Sequence, residues 1–172
     1  MKNIIYVVLA TLVLASCQKP NKIGFVNNSE VINEYQGKKD VETKFQAKSD
    51  AFQKRRDSMV NAYQLELKEA QIKAQRMSQA NLQKLSQEIQ QKEQLLGQKI
   101  QLEQKQIQDA YQAKMDTLII KVKDFVKDYG KTNGYTYILG TSEAAASVLY
   151  GAEENDLTQT VLDALNSEYK KE

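Results

Sequence analysis

The 172-residue sequence predicts an α+β fold dominated by helix, a small β-rich body interrupted by a long α-helical hairpin. Three observations predict it. From Gly37 to Tyr129 there is no Pro and Gly97 is the only interior Gly, and the segment is built from Gln, Lys, Ala, Glu and Leu, all strong helix formers. On either side, Lys22–Asn27 and Tyr135–Leu139 are short β-branched and aromatic runs bounded by turn residues. The chain also has no His, no Trp and a single Cys. That excludes a His-assisted nucleophile, a His/Cys zinc site and an intrachain disulfide.

The N-terminus reads as an address. Lys2 precedes an eleven-residue apolar run, Ile4–Leu14, too short to span a bilayer but of the length of a signal-peptide core. It leads into Leu14-Ala15-Ser16-Cys17, an ending that resembles a bacterial lipobox. Residues 1–16 are therefore read as a lipoprotein signal peptide and residues 17–21 as a lipidated tether, with Cys17 the lipidation site and the membrane reached through the N-terminal lipid. Two or three acyl chains suffice for stable anchoring, at about 0.8 kcal/mol per buried CH₂. No acidic run follows Cys17, which favours a position facing the periplasm. Export argues against nucleic acid and cytosolic ATP as partners.

After the tether, Lys22–Asn27 is the first strand, and Ser29 is placed to cap a helical turn over Glu30–Tyr35. Apolar residues then recur at steps of three and four: Val41, Phe45, Phe52, Met59, Tyr63, Leu67, Ala70, Ala74 and Met77. A second series runs Ile107, Tyr111, Met115, Leu118, Val122, Phe125 and Tyr129. This is the stripe of an amphipathic helix that packs against a partner. Asp40/Lys44, Asp50/Lys54, Glu69/Lys73 and Glu88/Lys92 are spaced for i,i+4 pairs. The stripe loses phase between Met77 and Leu85, so residues 37–129 are read as a hairpin turning near 78–82, with arms on the order of 60–70 Å. Residues 107–129 hold 12 apolar residues in 23, whereas residues 78–106 hold only 8 in 29. Arms firm at the base and looser toward the tip are expected.

Beyond the arms, Gly130 suits a helix C-cap, Asn133-Gly134 a turn and Tyr135–Leu139 a strand. Gly140–Glu143 makes a further turn, and Ser147–Tyr150 a third strand. Asn155 or Asp156 can cap a last helix whose apolar face is Leu157, Val161, Leu162 and Leu165. The body, residues 22–36 and 130–172, amounts to 58 residues. At that size about 60% of the unfolded surface is buried, and without a disulfide or metal the remaining staple is oligomerisation.

Charge is divided unevenly. Residues 37–128 carry 18 Lys/Arg against 13 Asp/Glu, residues 129–172 carry 3 against 7. Basic arms of this kind steer acidic clients or anionic lipid. Glu153, Glu154 and Asp156 form an acidic cluster, better explained by its place before a helix than by acid–base work or Ca²⁺. With no Gly-rich phosphate loop and no HExxH, no catalytic, cofactor-binding or metal site is assigned, and no enzyme activity or cofactor is expected.

The layout of Lys-Ile-Gly-Phe-Val-Asn at 22–27, a long Gln/Lys-rich hairpin, Asn-Gly-Tyr-Thr-Tyr-Ile-Leu at 133–139, Val-Leu-Tyr at 148–150 and Asn-Asp-Leu-Thr at 155–158 is similar to the OmpH/Skp family of periplasmic chaperones. The resemblance covers about residues 22–168. It implies a homotrimer in which three β-rich trimerisation bodies join and tentacle-like coiled-coil arms protrude around a cavity. It implies an ATP-independent holdase in the periplasm of a Gram-negative bacterium, with unfolded outer-membrane β-barrel proteins as clients. The best-known members are soluble; Cys17 departs from them.

Unfolded barrel proteins expose alternating apolar strands with unpaired edges, which aggregate. Weakly apolar, basic arms can hold such chains by many small contacts. Phe45, Phe52, Met59, Tyr63, Met77 and Tyr111 are the candidate apolar contacts on the arms, and packing of the hairpin itself is the stronger reading for each. The competing function is a lipid-anchored coiled-coil adaptor of the cell envelope, which would keep regular heptads to the hairpin tip.

Overall fold

The computed structural model describes residues 21–142, 145 and 147–170. The expected leader over residues 1–16 and Cys17 lie outside the described residues. In chain order the elements are β1 (Ile23–Asn27), α1 (Asn28–Glu34), α2 (Gln36–Ala74), α3 (Gln79–Thr132), β2 (Tyr137–Thr141), a 3₁₀ turn (Glu153–Asn155) and α4 (Thr158–Tyr169). Among the described residues no helix is long and apolar enough to cross a membrane. The chain divides into two compact units. One takes the chain up to Val31 with Asp124–Asp163; the other takes Ile32–Lys123 with the chain from Ala164.

The first unit is built on a parallel pair. β1 and β2 run in register from Ile23 opposite Tyr137 to Asn27 opposite Thr141. Alternation sends Gly24 and Val26 to the inner face, where Val26 is 1% exposed. Gly24 is needed there because a Cβ would sit 2.5 Å from Cδ1 of the buried Leu157. On its other side β1 is bridged by Asp156, and the Leu157 N–H donates to the Phe25 carbonyl at 2.8 Å. This bridge stands where a third strand was expected from Ser147–Tyr150. That segment forms no strand: Gly151 lies against the Phe25 ring, and Leu149 and Tyr150 are left 92% and 89% exposed.

Helix ends also differ from expectation, each for a local reason. α1 is capped by Asn27, whose Oδ1 accepts the Glu30 N–H at 3.2 Å, not by Ser29. α3 does not stop at Gly130 but runs to Thr132. Gly130 is buried inside the helix, where a Cβ would approach Ile138 Cδ1 to 3.2 Å. The left-handed residue is Gly134, at φ +71°. Around it the Tyr135 N–H donates to the Gly130 carbonyl at 2.9 Å and the Gly134 N–H to the Lys131 carbonyl at 3.3 Å, which is a Schellman motif. Closing that motif uses residues 133–135, so β2 starts two residues later than expected and carries Gly140 within it instead of in a turn. At α4, Asp156 Oδ1 accepts both the N–H (2.9 Å) and the hydroxyl (2.5 Å) of Thr158, so Asp156 caps as expected. Leu157, Val161, Leu162 and Leu165 are all buried.

The second unit is an antiparallel helical hairpin. α2 begins after Tyr35, whose extended backbone (ψ 123°) breaks it from α1. Tyr35 supplies no side-chain cap; the Gln36 N–H instead donates to Asn166 Oδ1 at 2.8 Å. The turn occupies residues 75–78, slightly ahead of 78–82. Both apolar stripes turn inward, with Phe45, Phe52, Ala70 and Val122 buried and the others half-buried. Phe45 meets Tyr111 edge-on at 5.5 Å. Toward the tip, Arg55 pairs with Glu103, the Tyr63 hydroxyl reaches the Ile89 carbonyl at 3.4 Å, and Lys92 pairs with Glu66.

Candidate functional site

Two surfaces leave apolar groups in water, one in each unit. In the sheet unit, the pleat places Ile23, Phe25, Tyr137 and Leu139 on one face, since directly paired residues of a parallel ladder point the same way. Ile23, Tyr137 and Leu139 are between 42% and 59% exposed. Gly151 covers part of the half-buried Phe25, and Leu149 and Tyr150 directly precede it along the chain. A two-stranded sheet with an apolar outer face is marginal by itself. Lys22 closes one end, lying 4.0 Å over the Tyr135 ring and donating to the Asn133 carbonyl at 3.0 Å.

In the hairpin unit, the residues singled out from sequence divide cleanly. Phe45 and Phe52 are buried in the seam, Met59, Tyr63 and Tyr111 are half-buried along it, and Met77 is half-buried in the turn between the helices. Hairpin packing, the stronger reading, is where the structure puts them. Two open grooves, of about 330 and 490 Å³, flank the seam at Phe45 and Ile107. Lys48 stands 4.6 Å over the Phe45 ring at the rim.

The apolar side chains that do face water were not among those candidates. Leu65 and Ile72 on α2, and Leu95 and Leu102 on α3, are between 59% and 66% exposed, and Ile120 is 59% exposed. The signal was available: each lies off the stripe of its own helix, where a helix of pure packing function would carry Gln, Lys or Glu.

The electrostatics of the hairpin are set across the seam as much as along the helices. Several spacings suited to i,i+4 pairs are used differently. Asp40 accepts from Gln36 (2.7 Å) and from Tyr169 (2.8 Å), Asp50 accepts from Gln46 (2.9 Å), and Lys92 crosses to Glu66. The hydrogen bond to Glu66 raises the Lys92 pKa. Burial in the seam, with Glu93 and Glu66 nearby, raises that of Tyr63. The Lys39 hydrogen bond lowers that of Glu34. Lys68, Arg76 and Lys99 make no ion pair among the described residues.

Among the described residues no group of three His, Cys, Asp or Glu could hold a metal ion. The acidic cluster resolves into a cap, Asp156, and two exposed carboxylates, Glu153 and Glu154, in the 3₁₀ turn. What the arrangement offers is contact area and charge.

A family model described as outer membrane protein (OmpH-like) matches residues 22–165. Among solved structures, a candidate outer membrane chaperone (OmpH-like) from Caulobacter crescentus CB15 is similar with a TM-score of 0.74. It is 15% identical, and the match covers 88% of this chain and 87% of that one, which shows a shared fold. No curated protein matches the chain.

Proposed function

The chain belongs to the OmpH-like family of outer membrane proteins, and from that premise we propose that it is an ATP-independent periplasmic holdase that binds unfolded outer-membrane β-barrel proteins and prevents their aggregation. The family is one of chaperones and not of enzymes. The observation that carries the reading is the hairpin: it closes its own apolar stripe in the seam and still leaves Leu65, Ile72, Leu95, Leu102 and Ile120 in water on a basic scaffold. Such a surface makes many weak contacts and no single strong one, which is what reversible holding of a flexible chain requires.

The working form is a homotrimer with clients in a cavity between the arms. Supporting self-association is the sheet face of Ile23, Tyr137 and Leu139 with the neighbouring Leu149 and Tyr150, too apolar for a free surface on so small a unit. The Leu14-Ala15-Ser16-Cys17 ending supports lipid anchoring at Cys17, so that holding takes place at a periplasmic membrane face.

The test is to dilute a urea-unfolded outer-membrane β-barrel protein into the purified protein and follow light scattering without ATP. Suppression saturating near one client per oligomer is expected. Unchanged aggregation at several-fold excess of a folded, oligomeric preparation would reject the holdase and leave the envelope adaptor.

A further inference from the structure

We propose that two matching triplets, Leu65-Lys68-Ile72 on α2 and Leu95-Lys99-Leu102 on α3, are the binding elements of the hairpin and select unfolded polypeptides that are both apolar and acidic. This rests on the holdase reading above and adds which side chains hold the client and what chemistry they prefer.

The two triplets repeat one pattern. In each, two apolar residues seven apart flank a lysine three or four residues from either, so all three lie on one face of the helix, spread over about 10.5 Å. That face points away from the seam: the apolar members are 59–66% exposed, whereas the stripe residues beside them, Tyr63, Leu67, Leu96 and Ile100, are half-buried. Ile is a poorer helix former than the Gln, Lys and Glu around it, so propensity does not account for Ile72. The seam does not use these residues, which stand in water on the outer side of their helices.

Their charge setting selects the partner. Lys68 and Lys99 have no ion pair among the described residues, and Arg76, one turn beyond Ile72, has none either. The neighbouring cations Lys92 and Lys105 are taken by Glu66 and Asp109. Glu69 is the one carboxylate on the α2 strip, and Lys68 and Lys73 stand on either side of it. Residues 37–128 as a whole carry 18 basic against 13 acidic side chains, so the long-range field points the same way.

Area excludes a rigid occupant. Four side chains exposing on the order of 100 Å² each, divided between two helices, fall well short of the roughly 800 Å² per partner of a stable interface. A flexible chain can reach several such spots in succession, its apolar residues on Leu or Ile and its carboxylates on the intervening lysines.

The experiment uses the full chain carrying Leu65→Gln, Ile72→Gln, Leu95→Gln and Leu102→Gln together, which keeps good helix formers at exposed positions. A second variant carries Lys68→Glu and Lys99→Glu. Affinity is measured for a urea-unfolded acidic β-barrel protein and for reduced, cationic lysozyme, with helicity and oligomer mass followed in parallel. The Gln variant is expected to keep wild-type helicity and mass and to bind the β-barrel protein about tenfold more weakly, a loss of about 1.4 kcal/mol. The Glu variant is expected to weaken the acidic client and strengthen the cationic one. Undiminished binding by the Gln variant, while wild type holds client, overturns this inference and leaves the holdase reading intact. Wild type that holds no client removes both. A changed oligomer mass in the Gln variant, or loss of binding to phosphatidylglycerol vesicles with client binding unaltered, also overturns it, in favour of self-association or a lipid surface respectively.

Discussion

The phenolic hydroxyl of Tyr169 donates a 2.8 Å hydrogen bond to Asp40, fastening the last turn of α4 to the beginning of α2. The Tyr169 ring also meets Tyr35 edge-on at 5.5 Å, and three residues earlier Asn166 accepts the first helical N–H of α2. Removing the hydroxyl with Tyr169→Phe should lower stability by about 1 kcal/mol, the net worth of one partly solvated hydrogen bond. Combination with Asp40→Asn should cost less than the sum of the two, a coupling that urea denaturation of the single and double variants will read. The same contact predicts an alkaline limit. The hydrogen bond to Asp40, then burial and the Asp40 charge, raise the Tyr169 pKa above the usual tyrosine value of about 10. Its contribution is therefore complete below about pH 10 and lost as pH rises through the higher folded value. Ultraviolet titration of wild type against Tyr169→Phe will locate it.

Two glycines should respond to alanine with opposite signs. Gly97 sits inside α3, and a methyl group added there would meet nothing within 4 Å, so Gly97→Ala should stabilise by about 0.5–1 kcal/mol through the unfolded chain. Gly24→Ala drives a methyl into Leu157 and toward Tyr135, and should cost about 1–3 kcal/mol. Thermal unfolding of the two variants checks both; equal shifts would contradict the packing of β1.

Leu149→Asp with Tyr150→Asp tests the proposed self-association face. Both side chains are almost wholly in water, so the fold of one chain should survive, as circular dichroism will show. Sedimentation should show the oligomer dissociating, whereas a wild-type mass would exclude these residues from the interface.

No histidine occurs anywhere in the sequence, so no side chain with an ordinary pKa between 5 and 8 is present. The proposed client holding, at constant ionic strength, should be flat from about pH 6 to about pH 8.5. Raising salt should weaken it instead, because the arm charges are exposed and screened within a Debye length of about 8–10 Å.

The helices were legible because their signal is long and repeated. Thirty-nine residues of α2 carry one stripe, and Phe45 or Phe52 could hardly lie anywhere but the seam. Short elements were less so. Ser147–Tyr150 has the residue types of a strand, yet strand formation needs a partner edge, and Asp156 holds the far side of β1. Gly130 and Gly134 are equally good cap residues in sequence; Ile138 packing on one and a left-handed backbone at the other decide between them. The exposed Leu65, Ile72, Leu95 and Leu102 fall outside the regular stripes, and periodicity passes over residues that do not share its phase.

The parallel pairing of Ile23 with Tyr137 also constrains how the chain acquires its structure. The strands are separated by roughly a hundred residues, a closure that is slow and entropically costly for an open coil. A helical hairpin forms from near neighbours and brings its two ends together, converting that long loop into a short one. The expected order of assembly is arms first and sheet last. Variants that destabilise the 75–78 turn should therefore slow sheet formation in proportion to the stability they remove, while leaving the unfolding rate nearly unaltered.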